Sequence, residues 1–292
     1  MHNTLTRADK GFVVFCYVSL ILFTISVLLP IINLLAVATS GETEVIAGRV
    51  TLLPKQLQLD AFHFVLGSNQ FFTSFRVSLL MTAVGSVLGL LFSIMAAYPL
   101  SKPNLPGRKA VLLAFVFTMM FNGGIVPQYL LMQKLHLLNT IWSVLFPLVT
   151  NVFNMLIIKS FMEGLPEEIE ESAKMDGATP VTTLIRIILP LCMPVVATIG
   201  LFYAVEIWNE YFHSRLYLSS RSLMPLQLYL RTVIFEAMDP SGGFTLDSTT
   251  LKLAPQSIIN ATVLLSMLPM AVLYPFVQRF FVQGLVLGSV KG

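Results

Sequence analysis

The sequence predicts an all-α polytopic membrane protein with six spans, and three observations carry the prediction. Of its 292 residues, 55% are hydrophobic and only 11% charged, with a mean hydropathy of +0.79. A soluble globular domain does not have that balance. The apolar residues fall into six runs, and about 20 helical residues suffice to cross a ~30 Å hydrocarbon core. One acid-dense stretch interrupts them: Glu167, Glu168, Glu170 and Glu171, followed by Asp176. An acidic side chain at a bilayer centre costs roughly 2.5–3.5 kcal/mol, so four would cost on the order of 10, and this stretch lies in water.

Residues 1–10 are polar, with Arg7 and Lys10 ahead of the first apolar run, 12–37. Ala36-Val37-Ala38 resembles a signal-peptidase site, but the run has about 26 residues against roughly 7–15 for a signal-peptide core. We read it as an uncleaved first span. Residues 39–69 form a loop with Gly41, Gly48 and Pro54. The second span is 71–98, in which Gly85 and Gly89 make either a helix-packing face or merely tolerated glycines. Residues 101–109, with Lys102, Arg108 and Lys109, read as a cytoplasmic turn under the positive-inside rule. The third span is 110–131 and the fourth 140–158, joined by a short outside loop. The fifth is 187–212, kinked at its start by Pro190 and Pro194, and the sixth is 258–277, broken by Pro269 and Pro275. Residues 213–257 make a long outside loop with a flexible Gly242-Gly243 tip. Both termini then lie inside, and residues 1–292 form one membrane domain.

The acid-dense stretch, 163–186, has the punctuation of a helical hairpin. Pro166 suits the first helical position, and Glu167 and Glu168 suit the positive end of the dipole. Gly177 stops the helix in a left-handed cap. Thr179-Pro180 then reads as the N-cap and first residue of a second helix. The first helix has about ten residues and a length of ~15 Å. Ser172, Ala173 and Gly177 are small enough for a partner's backbone to approach.

Glu171-Ser172-Ala173, three residues, Gly177, nine residues, then Ile187, Leu189 and Pro190 resembles the E-A-A…G…I-x-L-P signature of membrane subunits of ABC importers. Ser172 stands where a second Ala is usual, one small residue for another. Asp176-Gly177-Ala178 resembles the carbohydrate branch, typified by maltose permease subunits. Phe72, Ser74, Ser78 and Leu79, with Trp208-Asn209-Glu210, extend the likeness over most of the chain. Within that branch the chain is similar to the second permease subunits of oligosaccharide importers of the LplC/YtcP type, to which alginate and related uronate importers belong. The resemblance implies the type I ABC importer fold in a bacterial inner membrane, with a second permease subunit, two ATPase subunits and an extracytoplasmic sugar-binding protein. It makes 166–175 a coupling helix that docks on an ATPase through Glu167, Glu170, Glu171, Ser172, Ala173, Met175, Asp176 and Gly177. Closure of the ATPase pair would move this helix and, through the turn at Gly177, the fifth span, a two-state element biased by ATP.

The residues themselves are consistent with a chain that does no chemistry of its own. No G-x-x-x-x-G-K-[ST] phosphate cradle occurs, so ATP and Mg are expected on the partner ATPases and no cofactor here. Ser and His are not clustered into a nucleophile–base pair. The four histidines are scattered and lack metal-ligand spacing. Cys16 and Cys192 lie in or beside apolar spans, so no disulfide is expected. A net charge of +3 gives no reason to expect nucleic acid. The partners are the lipid bilayer and other importer subunits.

Polar residues inside spans are expensive unless they face water or one another. Asn122 and Gln128 flank Gly123, Gly124 and Pro127, where a helix break would expose backbone. Asn151 and Asn154 lie one turn apart, and Glu206, Trp208, Asn209 and Glu210 cluster in the fifth span. Amides, carboxylates and an aromatic face suit a sugar pathway, while the same groups also serve as interhelical glue. Residues 214–255 either touch the binding protein or cap the cavity mouth. Their arginines favour an acidic oligosaccharide, and neighbouring acids offset them. A stand-alone secondary transporter or channel is the competing class. It requires ion-coupling charges within the spans, where only Glu206 and Glu210 come close, and internal repeats, which the sequence does not show.

Overall fold

The computed structural model describes residues 7–121, 123–238 and 254–289. Asn122, Asp239, the Gly242-Gly243 tip, Asp247 and Lys291 lie outside the described residues. No strand occurs among the described residues. Three helices are long and apolar enough to cross a membrane: Asp9–Ala38, Asn69–Ser101 and Pro255–Pro275. Three bent helix pairs bring the number to as many as six if each pair is one span.

The chain divides into two compact units. The first comprises residues 1–69 and 230–267. Its α1 (Arg7–Ala38) has none of its most apolar window buried, an exposure suited to lipid or to another membrane chain. The expected loop after it contains two short helices, α2 (Glu42–Ile46) and α3 (Asp60–Gly67). Ser257 Oγ donates to the carbonyl of Val37 at 3.3 Å, fixing the entry to the last helix, α15 (Pro255–Ser289). That helix is continuous past Pro269 and Pro275 and runs beyond the expected end at 277.

The second unit comprises residues 70–229 and 268–292. Its helices are α4 (Asn69–Ser101), α5 (Arg108–Met120), α6 (Ile125–Lys134), α7 (Ile141–Val149), α8 (Val152–Glu163) and α9 (Glu167–Met175). After α10 (Pro180–Thr183) comes a π-helical turn, Leu184–Ile188, then α11 (Leu189–Leu191), α12 (Met193–Trp208), α13 (Phe212–Tyr217) and the first turn of α14 (Leu226–Met238), whose remainder from Leu230 belongs to the first unit.

Three expected spans are divided. The third breaks between α5 and α6, where Gly124 has φ +87° and ψ 172°, a conformation essentially confined to glycine. The fourth bends by 42° between α7 and α8, at Asn151. The fifth bends by 83° at Cys192, between the segment Pro180–Leu191 and α12. Two prolines and a π-helical turn account for that bend, since each removes or displaces i→i−4 bonds. The expected fifth span, 187–212, thus starts within the bent segment and runs through α12 to Phe212.

Lipid tails are as apolar as leucine, so these helices cohere by close packing more than by water exclusion. Met81, Val144, Leu145, Val149, Ile158, Ile188, Ile199 and Tyr203 form the centre, from α4, α7, α8, the π turn and α12. Gly85 and Gly89 do make a packing face. A Cβ on Gly85 would lie 2.6 Å from Ile207 Cδ1, and one on Gly89 2.7 Å from the Tyr203 ring.

Candidate functional site

The helix α9 begins at Glu167, with Pro166 at the N-cap, one position earlier than expected. Its end is a complete Schellman motif. Gly177 N–H donates to the carbonyl of Lys174 at 3.0 Å, and Ala178 N–H to that of Ala173 at 2.9 Å, with Gly177 at φ +77°. These two bonds satisfy carbonyls the helix end would otherwise leave open. Thr179 then caps α10, its hydroxyl accepting from Thr182 N–H at 3.3 Å, and Pro180 takes the first turn.

The helix is two-faced. Ala173 is buried, and Ile169 and Glu170 are half-buried on the same side. Glu167, Glu168, Glu171, Ser172, Lys174, Met175, Asp176 and Gly177 are exposed. Met175 is 88% exposed, an apolar side chain set out among acids at the hairpin tip. Two of the expected docking residues thus face inward. Ala173 is small because it packs against its own chain, and Glu170 turns to form an ion pair with Lys102.

Further ion pairs gather at this end of the unit. Arg108 pairs with Glu163, and Lys159 reaches the same carboxylate at 2.7 Å. Arg108 Nε also donates to the carbonyl of Leu100 at 2.8 Å. The turn 101–109 and the hairpin 163–186 therefore share one end of the bundle, as alternating spans require. The basic turn and the acidic hairpin are separate signals in the sequence, and their pairing appears only in the structure.

The opposite end is held mostly by neutral groups, amides and hydroxyls, with Glu210 Oε2 lying 3.2 Å from His213 Nδ1 beside them. Asn139, at φ +59°, donates its backbone N–H to the Tyr217 carbonyl at 2.9 Å. Its Oδ1 accepts from Ser219 N–H at 3.1 Å and Ser220 N–H at 2.9 Å, and its Nδ2 donates to Ser220 Oγ at 2.7 Å. Ser78 Oγ accepts from Leu226 N–H at 2.7 Å, and Gln70 Nε2 donates to the Arg221 carbonyl at 2.9 Å. The first part of the expected outer loop is thus an ordered layer of α13, a short 3₁₀ turn and the start of α14.

Of the candidate pathway residues, the structure brings together Asn151 and Glu206, with Nδ2 to Oε2 at 3.5 Å. Glu206 and Asn209 are exposed. Asn151 also caps α8, accepting from Asn154 N–H at 3.2 Å. Asn154 is buried, its side chain interacting with the Tyr203 hydroxyl, which also pairs with Ser93 Oγ at 2.8 Å. Trp208 is 2% exposed, edge-on to Phe75 with centroids 6.0 Å apart, so its ring packs between helices in this chain. Glu210 is buried, its Oε1 accepting from His213 N–H at 2.6 Å at the start of α13. It serves as a cap. Gln128 is half-buried beyond the glycine break. Among the described residues no cluster of metal-ligating side chains occurs.

The family described as "Binding-protein-dependent transport system inner membrane component" matches residues 77–286. Protein LplC of Bacillus subtilis (strain 168) is 40% identical, over 91% of this chain and 90% of its own length. The polygalacturonan/rhamnogalacturonan transport system permease protein YtcP of the same organism is 34% identical, over 97% of this chain and 99% of its own. A chain in the crystal structure of a bacterial ABC transporter involved in the import of the acidic polysaccharide alginate superposes with a TM-score of 0.88 at 32% identity, covering 95% of this chain and 99% of that one.

Proposed function

This chain belongs to the family of binding-protein-dependent transport system inner membrane components, and on that footing we propose that it is one permease subunit of an ABC importer for acidic oligosaccharides. It pairs with a second permease subunit to enclose the pathway. Two ATPase subunits hold ATP and Mg, and one of them docks on the α9 hairpin. An extracytoplasmic binding protein delivers the sugar to the opposite end. Both termini lie in the cytoplasm, as an even number of spans and a cytoplasmic hairpin require. The chain itself has no ATPase site and is not an enzyme.

The observation that carries this reading is the Schellman-capped hairpin, which sets an acid-rich face and Met175 outward at the end of the bundle where the basic turn also lies. A uronate cargo is supported by the polygalacturonan, rhamnogalacturonan and alginate relatives. It is supported also by Arg76, Arg215 and Arg221, exposed at the neutral end, since cations there would attract an anionic sugar.

The test is to purify the chain with whatever binds it, reconstitute the assembly, and add binding protein loaded with an oligouronate or with a neutral oligosaccharide. We expect a co-purifying ATPase, hydrolysis stimulated by loaded binding protein, and uptake of the uronate only. Uptake by the chain alone, driven by an ion gradient, would show the secondary-transporter class instead.

A further inference from the structure

We propose that Lys102 is a positioning residue for coupling: its ion pair with Glu170 is a strut that passes the displacement of α9 to the ends of α4 and α5. This inference rests on the importer reading above. The route through Gly177 leads from α9 to the fifth span alone. The strut adds a route to the second and third.

Open space on both sides of the pair is the first observation. A cleft of about 580 Å³ is lined by Tyr98, Lys102, Leu105, Glu170, Lys174 and Val181, among others. A second, of about 190 Å³, is lined by Lys102, Asn104, Glu163, Glu167, Glu170 and Glu171, among others. Lys102 and Glu170 belong to both, so the pair crosses between two voids. Where side chains pack without gaps, any movement of α9 pushes its neighbours directly. Across a gap it would be absorbed, unless a bond spans it.

Stiffness on the receiving side is the second. Pro103 and Pro106 fix two backbone angles in the turn, and successive backbone bonds close it: Lys102 to Pro99 at 3.1 Å, Leu105 to Lys102 at 3.3 Å and Arg108 to Leu105 at 3.3 Å. Arg108 ties the start of α5 to the last turn of α4 through the Leu100 carbonyl. A pull on Lys102 therefore moves both helix ends together.

The pair is also sheltered and oriented. The Lys102 and Glu170 side chains are 32% and 15% exposed, which lessens screening relative to a surface pair. Lys102 Nζ lies 4.6 Å from the Tyr98 ring centroid, a cation–π contact that holds the ammonium over the end of α4.

The experiment uses the whole importer in liposomes and reads oligosaccharide taken up per ATP hydrolysed. Lys102→Met keeps the stem over Tyr98 and removes only the charge. It should assemble and lower that ratio about fivefold, the low end of allosteric coupling. Lys102→Glu should lower it further, and the reversed pair Lys102→Glu with Glu170→Lys should restore it to within about twofold. An unchanged ratio in Lys102→Met, with hydrolysis and uptake falling together or not at all, would overturn the strut. So would a reversed pair no better than Lys102→Glu alone. If the unmodified importer hydrolyses ATP without regard to loaded binding protein, the importer reading itself fails, and the strut with it.

Discussion

The two ends of the larger unit solve the same problem with opposite materials. At one, long charged side chains pair: Lys102 with Glu170 between two clefts, and Arg108 and Lys159 with Glu163. At the other, short amides and hydroxyls close over backbone groups, Asn139 on residues 217–220 and Ser78 on Leu226. A partly exposed ion pair adds little to stability, yet while it lasts it keeps the elements it joins moving together. The buried Leu226 N–H would cost about 1–3 kcal/mol on losing its acceptor, and the less buried Ser219 and Ser220 N–H groups less. The charged end is therefore suited to being moved, and the neutral end to holding its shape while the other moves.

The largest expected effect breaks the charged end at its tip. Gly177→Asp meets no side chain, since nothing lies within 4 Å of the position a Cβ would take. Asp tolerates the left-handed conformation better than most residues, so the chain should lose no more than about 1–2 kcal/mol. Coupled uptake should nevertheless fall at least about tenfold, because the new carboxylate stands on the exposed face and the turn that transmits motion is strained. Normal uptake with normal stimulated hydrolysis would mean that this end is not a handle.

Next comes Trp208→Ala at the neutral end. Removing a fully packed ring should cost about 3–5 kcal/mol, seen as a lower unfolding temperature in detergent, whereas Asn209→Ala should leave stability nearly unchanged. If Trp208→Ala instead left stability intact and abolished uptake, the ring would be a sugar platform after all.

That pair of residues shows where sequence reasoning reached its limit. The spans were legible because hydropathy depends on composition within a window, and the hairpin because Gly177, Thr179 and Pro180 act through local backbone rules. The bends at Gly124 and Cys192 were half-legible, since Gly and Pro permit a break but do not set its angle. Trp208 and Glu210 could not be separated from Asn209 by pattern. In a helix apolar on every side, residues facing a core and residues facing a pathway look alike. The Asn139 clamp was invisible because its partners lie about 80 positions away and nothing in a lone Asn before Thr140 points to them.

Asn139→Ala sharpens the comparison from the neutral side. It removes the acceptor of two backbone N–H groups and puts a Cβ-bearing residue with no local polar group at positive φ. Water can reach the two N–H groups in part, so we expect a loss of about 0.5–1.5 kcal/mol, measured by thermal unfolding. Asn139→Gly separates the two causes, since it relieves the backbone and still deletes the clamp. If Asn139→Gly were as stable as the unmodified chain, backbone conformation rather than the side-chain bonds would hold this end.

The smallest effect tests the claim that the charged bonds are individually weak. Glu163→Gln removes the shared partner of Arg108 and Lys159 while keeping the shape of the side chain. Arg108 retains the Leu100 carbonyl at 2.8 Å, so its guanidinium is not left bare. The side chains of Arg108 and Glu163 are 26% and 30% exposed, leaving water free to replace what is lost. The expected cost is about 0.2–1 kcal/mol in dilute buffer, fading towards zero near ~1 M salt, where the screening length is only about 3 Å. Unfolding curves at low and high salt would measure both. A loss above about 2 kcal/mol that persisted in high salt would mean a desolvated, fixed bridge, which is costly to break. The charged end would then be as rigid as the neutral one, and the contrast between them would have to be sought in their partners.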